Sequence, residues 1–153
     1  MKGVYCLVIN VRKDLNINIG AFGKIRFKKG IYAYVGSAQN NLEKRVSRHL
    51  SRSSKISKKF LGHKKSQSDF FVNKKKFWHI DYLLDNRFAK ILKVYYKKAK
   101  KSEECKIAKK LSKTEIPIVN FGCSDCDCKS HLFKIKNLRN ILNIFWSRCH
   151  LWK

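Results

Sequence analysis

Acidic side chains are scarce in this sequence: 10 Asp and Glu stand against 36 Lys and Arg, a formal net charge of +26 at pH 7. So much charge of one sign repels itself in a compact fold, and a bound polyanion relieves the repulsion. Inside a cell the commonest polyanion is nucleic acid, so nucleic-acid binding is the first functional expectation, with a solvated lysine-rich surface as the plain alternative. Long apolar runs are missing as well. None approaches the roughly 18–20 residues that span a bilayer, which argues against a membrane helix. The opening MKGVYCLVINV is too short, and too soon followed by charge, to read as a secretory signal. A soluble, cytoplasmic protein with no membrane partner is therefore expected. No internal repeat is visible.

What is present is a core. Apolar residues make up 44% of the 153-residue chain, which argues against global disorder and for one domain over 1–153. Residues 3–11, GVYCLVINV, are rich in β-branched and aromatic side chains and read as a buried strand. In NINIGAFGKIRFK, residues 16–28, Ile17, Ile19, Ile25 and Phe27 recur in period two around Gly20 and Gly23, the pattern of a short hairpin. IYAYV, residues 31–35, is a further strand with Tyr32 and Tyr34 on one face. The period then changes. Leu42, Val46 and His49/Leu50 fall at helical spacing after an N-cap at Asn40 or Asn41, on a helix that carries Arg45, Arg48, His49 and Arg52.

Residues 51–76 are polar, basic and low in complexity, and read as a loop insertion. FWHIDYLLDN, 77–86, suits a short helix and AKILKVYY, 89–96, a strand. Ser102 opens a capping-box-like start to a helix in SEECKIAKKL, and Pro117 ends that region. FGCSDCDCKSHLF is a cysteine-rich loop running into a strand. In the tail, Leu138, Leu142 and Phe145 at helical spacing predict a C-terminal helical extension over 134–153. The order β-β-β-α-loop-α-β-α predicts an α+β fold: a small antiparallel sheet of three or more strands flanked by helices, with an inserted hairpin and a basic loop.

Gly3-Val4-Tyr5 on the first strand, Tyr34-Val35-Gly36 at the end of the sheet, and Leu42-Glu43-Lys44-Arg45 opening a helix resemble the GIY-YIG nuclease superfamily. The longer strings YVGSA, RHL, WHIDYLL, and FGCSDC followed by SHLF are similar to its small stand-alone prokaryotic branch, the Uri-type endonucleases, over most of the chain. The resemblance implies metal-dependent hydrolysis of DNA phosphodiester bonds, in repair or processing, with Mg²⁺ or Mn²⁺. It implies catalytic places for Tyr5, Tyr34, Arg45 and His49, with Arg45 on the scissile phosphate, and a metal-holding place for Glu104. Glu103 and Asp81 compete with Glu104 for that place. Two departures stand out. Between Tyr5 and Tyr34 lie 28 residues, so a hairpin must be inserted, and the literal Gly30-Ile31-Tyr32 is a coincidence of spelling on the strand of Tyr34 itself. Ser37 stands where many relatives carry lysine, leaving His49 or Lys2 to help activate a tyrosine.

These residue types suit that chemistry. Cutting a phosphodiester needs an aligned water, a neutralised phosphate and a stabilised leaving oxygen. One carboxylate can hold Mg²⁺, which keeps most of its waters. Arg45 offers a forked, permanent charge for phosphate oxygens. In the chemistry the resemblance implies, Tyr5 would position or deprotonate the water, and a phenol with a pKa near 10 needs neighbouring cations to do so. In that same implied chemistry, Tyr34 would hydrogen-bond the phosphate or Tyr5. Strand tyrosines are otherwise ordinary core aromatics, and Arg45 an ordinary DNA-facing charge.

Cys6, Cys105, Cys123, Cys126, Cys128 and Cys149 suggest reduced thiols or metal. In Cys123-x2-Cys126-x-Cys128-x2-His131 the preferred reading is a tight turn of buried, reduced thiols, with Zn²⁺ on Cys123, Cys126, Cys128 and His131 as the alternative. Asp125 and Asp127 interleave there. His79 reads as a buried orienting residue, with a second catalytic-site histidine as the alternative. The expected partner is DNA that is branched, damaged or single-stranded. The alternatives are a non-catalytic nucleic-acid-binding module and an RNA- or ribosome-associated protein. Oligomeric state is not legible.

Overall fold

A computed structural model describes residues 1–60, 76, 78–123, 126–145 and 150–151. Along the chain run β1 (Gly3–Val11), β2 (Leu15–Asn18), β3 (Lys24–Phe27), β4 (Gly30–Ala38), α1 (Leu42–Phe60), α2 (His79–Leu84), β5 (Ala89–Lys98), α3 (Ser102–Thr114), β6 (Ile116–Pro117), β7 (Leu132–Lys134), α4 (Leu138–Phe145) and β8 (His150–Leu151). Six strands form one sheet in the order β6-β7-β4-β1-β5-β8, with every pairing antiparallel. β2 and β3 pair only with each other, the inserted hairpin that separates β1 from β4. The α+β expectation of a small antiparallel sheet flanked by helices is the fold observed.

Alternation along the central strand divides the interior in two. Tyr5, Leu7, Ile9 and Val11 of β1 join Tyr32 and Tyr34 of β4 in one core, with Leu42 and Val46 of α1, Ile80 and Leu83 of α2, and Phe27 of the hairpin. Val4, Cys6 and Val8 face the other side with Ala33 and Val35, against Ile107, Ala108 and Leu111 of α3 and Ile141 of α4. Both faces of β1 are thus covered, which is why GVYCLVINV lacks polar alternation. Each large side chain so buried contributes roughly 1.5–3 kcal/mol. No helix among the described residues is long and apolar enough to cross a membrane.

Three expectations need correction. Residues 51–60 are not loop but the second half of α1. Its inner face is hard to see because it is polar: Arg52 and Ser53 are buried, Arg52 Nε donates to Asp85 at 2.6 Å, and Ser53 Oγ accepts the Ile91 N–H at 3.2 Å. Residues 61–75 of the expected loop lie outside the described residues. The tail is not helical throughout, since α4 spans Leu138–Phe145 and β8 pairs with β5, Tyr95 opposite Leu151. Leu138 and Leu142 are exposed, and Ile141 and Ile144 face the core instead. Ser102 is the first helical residue of α3 rather than its cap, and no side chain caps that end. Glu103 and Glu104 in the first turn complement the helix dipole there. Asn41, by contrast, caps α1, with Oδ1 accepting the Lys44 N–H at 2.9 Å.

Candidate functional site

At the end of the sheet where β1 begins and β4 finishes, a cavity of about 480 Å³ opens. Tyr5, Tyr34, Arg45 and Glu104 all line it, although Glu104 stands 99 positions after Tyr5 in the sequence. Tyr5 comes from β1 and Tyr34 from β4, their ring centroids 6.5 Å apart and tilted by 48°. Both are on the inner face set by strand alternation. Tyr5 sits directly opposite Gly36 in the β1–β4 register. A Cβ at Gly36 would lie 2.5 Å from Tyr5 Cζ and Oη, so the glycine is there to let the phenol lie flat across β4. Gly122, with φ +72°, turns the 121–123 segment against Tyr34 and donates its N–H to His79 Nδ1 at 3.2 Å.

Arg45 reaches in from the first turns of α1. Its Nη1 donates to the Ser37 carbonyl at 2.8 Å, and its guanidinium lies 4.6 Å from the Trp78 ring centroid. The same ring carries Arg48 at 4.5 Å. Arg45 is thus aimed by a backbone acceptor and an aromatic face, the arrangement that a guanidinium holds better than an ammonium.

His49 does not line the cavity. It is 1% exposed, one turn further along α1, with Nε2 2.9 Å from Tyr5 Oη. Nδ1 of the same ring is buried and has no hydrogen-bond partner among the described residues. Burial pulls the imidazole down to about 4. Asp81 works against that shift, while Arg48, Arg45 and Arg52 reinforce it. At neutral pH the ring is uncharged and one nitrogen is an acceptor. Burial also pushes the Tyr5 phenol well above its ordinary value. Tyr34, Glu104 and Asp81 push the same way and Arg45 opposes. Tyr5 is therefore a protonated phenol that can donate to His49 and accept from a water in the cavity.

The three competing acids separate cleanly. Glu104 is the one acid among the lining residues. Glu103 turns away to Lys97 at 3.0 Å and Lys106 at 3.6 Å. Asp81 is fully buried between α1 and α2, where both oxygens accept from Arg48 at 2.9 and 2.8 Å and Oδ2 also accepts the Trp78 N–H at 3.1 Å. Asp81 fastens two helices. Glu104 Oε1 lies 3.4 Å from His131 Nδ1. Around it the cavity offers phenols, the amides of Gln39, Asn40 and Asn41 and the imidazoles of His79 and His131, with no thiol among the lining residues, a set that fits a hydrated Mg²⁺ or Mn²⁺ better than a thiophilic metal. Gln39 Nε2 is buried without a partner among the described residues, a donor left for an acceptor such as a phosphate oxygen.

Several lining residues escaped sequence reasoning. Lys101, just before α3, brings a second cation, whereas Lys2 does not line the cavity. Its signal was buried in the run KKAKK. Trp78 was quoted only as part of a string. His79 is half-buried rather than buried and itself lines the cavity; its Nδ1 accepts the Gly122 N–H, and its ring meets Phe22 and Phe121 edge-on at 5.3 and 5.5 Å. Tyr32 is buried in the core, its hydroxyl donating to the Lys28 carbonyl at 2.7 Å, away from the cavity.

The cysteine cluster also differs from the set suggested by spacing. Cys126, Cys128 and His131 converge, but the fourth member is Cys105 of α3, and Cys123 is not part of the group. Cys123 is buried in the second core. Asp127 pairs with Lys109 at 3.6 Å, while Asp125 and Cys149 lie outside the described residues. Burial pushes the Cys105 and Cys128 thiols up; Cys126 adds to both shifts, while the bond between the two raises Cys128 and lowers Cys105.

A family model described as a domain of unknown function, DUF123, matches residues 4–151. No curated protein and no solved structure matches the chain.

Proposed function

We propose that this chain, which belongs to the DUF123 family, is a metal-dependent endonuclease that hydrolyses DNA phosphodiester bonds, with a site of the GIY-YIG kind. The observation that carries the proposal is the meeting of Tyr5, Tyr34, Arg45 and Glu104 in one cavity, with His49 hydrogen-bonded behind Tyr5. A net charge of +26 supplies the long-range attraction for a polyanion.

Glu104 would hold the divalent cation, which when bound neutralises phosphate charge and stabilises the leaving oxygen. The protein's own groups do the rest. Arg45, held by Ser37 and Trp78, grips phosphate oxygens bidentately. Lys101 adds charge to the same cavity, where the residue after Tyr34-Val35-Gly36 is serine rather than lysine. Tyr34 donates a hydrogen bond to the phosphate. Tyr5 accepts a proton from the attacking water while passing its own to His49 Nε2. The relay leaves Tyr5 neutral and creates an imidazolium, so no free phenolate has to form in a buried setting. Burial and the three arginines keep the ring neutral at rest, and Asp81 offsets part of the cost of charging it.

The test is incubation with a mixture of branched, nicked and single-stranded DNA, with Mg²⁺ or Mn²⁺ and then with chelator. Cleavage that needs the cation and disappears in Tyr34→Phe and Arg45→Ala is expected. Salt-sensitive retention of DNA with no metal-dependent cutting points to a binding module, and preferential retention of RNA to an RNA-associated protein. Either result overturns the proposal.

A further inference from the structure

We propose that Cys105, Cys126, Cys128 and His131 form a tetrahedral Zn²⁺ site that clamps α3 to the loop before β7 and, through His131, fixes the orientation of Glu104. The four ligand atoms, three Sγ and one imidazole nitrogen, all lie within 4.8 Å of one another. Zinc–sulfur bonds of about 2.3 Å and zinc–nitrogen bonds of about 2.0–2.1 Å put the corners of such a tetrahedron roughly 3.6–3.8 Å apart. Cys126 Sγ and His131 Nε2 are already at 3.5 Å. Closing the other edges takes shifts of about an ångström or less in thiol rotamers.

The ligand set is that of a closed structural site: three thiolates and one histidine, half-buried to buried, with no carboxylate among the four. Its topology makes sense of a feature that spacing made awkward. Cys126 and Cys128 come from one loop, but Cys105 comes from a helix, so the loop does not have to wrap around the ion alone. On binding, the three thiols lose their protons to solvent and His131 coordinates as the neutral ring.

His131 links the two halves of the molecule's chemistry. With Nε2 on zinc, the remaining proton is on Nδ1, which faces Glu104 Oε1 at 3.4 Å. A carboxylate accepting from the far nitrogen of a metal-bound histidine is the usual outer partner of zinc. Here that partner is also the acid of the cavity. Zinc would therefore hold Glu104 in place without entering the cavity itself.

Metal content reads this separately from any cleavage, so its failure is distinguishable from failure of the hydrolytic proposal. Elemental analysis of the purified, reduced full chain is expected to find one zinc per chain. Titration of the metal-free chain with Co²⁺ is expected to give the intense visible bands of a tetrahedral thiolate complex. Cys105→Ser should lose that spectrum and Cys123→Ser should keep it. Glu104→Ala should keep it too, but weaken Zn²⁺ in a chelator competition by about 10–100-fold. If wild-type protein holds no zinc and gives no tetrahedral Co²⁺ spectrum, or carries iron and sulfide instead, the site is wrong. If Cys123→Ser loses the metal while Cys105→Ser retains it, the ligand set is wrong. An unchanged zinc affinity in Glu104→Ala removes the link to the cavity.

Discussion

Tyr5 and Gly36 face each other across β1 and β4, and the phenol of one occupies the space that a side chain on the other would need. The glycine of Tyr34-Val35-Gly36 thus serves the tyrosine of the neighbouring strand. Gly36→Ala would bring a methyl 2.5 Å from Tyr5 Cζ, and a packed core cannot absorb that without moving the ring. We expect a loss of about 1–3 kcal/mol in denaturant unfolding, together with lost activity, because Tyr5 leaves His49. An unchanged unfolding midpoint would show that the ring has room to yield.

Arg48 and Asp81 make the buried half of the scaffold. Asp81 is fully buried and takes two hydrogen bonds from the Arg48 guanidinium, with Arg52 Nη1 3.9 Å from Oδ2. Arg48→Ala leaves that carboxylate short of its main partner. A destabilisation of about 3–5 kcal/mol is expected by chemical denaturation, far more than an exposed ion pair contributes. A change below about 1 kcal/mol would mean that Arg52 alone suffices.

The buried imidazole of His49 gives stability a pH dependence. Its value in the folded chain is about 4, against 6.5 unperturbed. As pH falls from about 6.5 to about 4, the unfolded chain binds the proton first, so acidification favours unfolding. The full shift corresponds to roughly 3 kcal/mol. Replacing the ring by a group that does not titrate, as in His49→Gln, should narrow the stability gap to wild type as pH drops from 7 to 4. A gap that stays constant would place the ring elsewhere on the pH scale. The same protonation removes the acceptor that Tyr5 needs, so the acid limb of cleavage should fall near 4 rather than near 6.5.

Period-two alternation in Ile17, Ile19, Ile25 and Phe27 revealed the hairpin, because one face of it packs on the core and the other does not. Tyr5, Tyr34 and Arg45 were legible through the motifs that carry the resemblance, since spacing alone would make the two tyrosines ordinary core aromatics. Residues 51–60 were not, since Arg52 and Ser53 are buried through polar bonds to α2 and β5, which no hydropathy pattern shows. The tail misled for a related reason: Leu138 and Leu142 make a good apolar stripe, yet Ile141 and Ile144 are the residues that meet the sheet. Cys105 was invisible beside the Cys126–His131 cluster because only the fold brings α3 to that loop. Which of three acids enters the cavity was likewise a matter of where Arg48, Lys97 and Lys106 sit.

Glu104 therefore provides the most direct measurement. Single-turnover cleavage of a DNA substrate in saturating Mg²⁺ should fall by at least about 100-fold in Glu104→Ala, and remain within a few-fold of wild type in Glu103→Ala. Equal cutting by Glu104→Ala and wild type would contradict the assignment of this cavity as the place where the phosphodiester is hydrolysed.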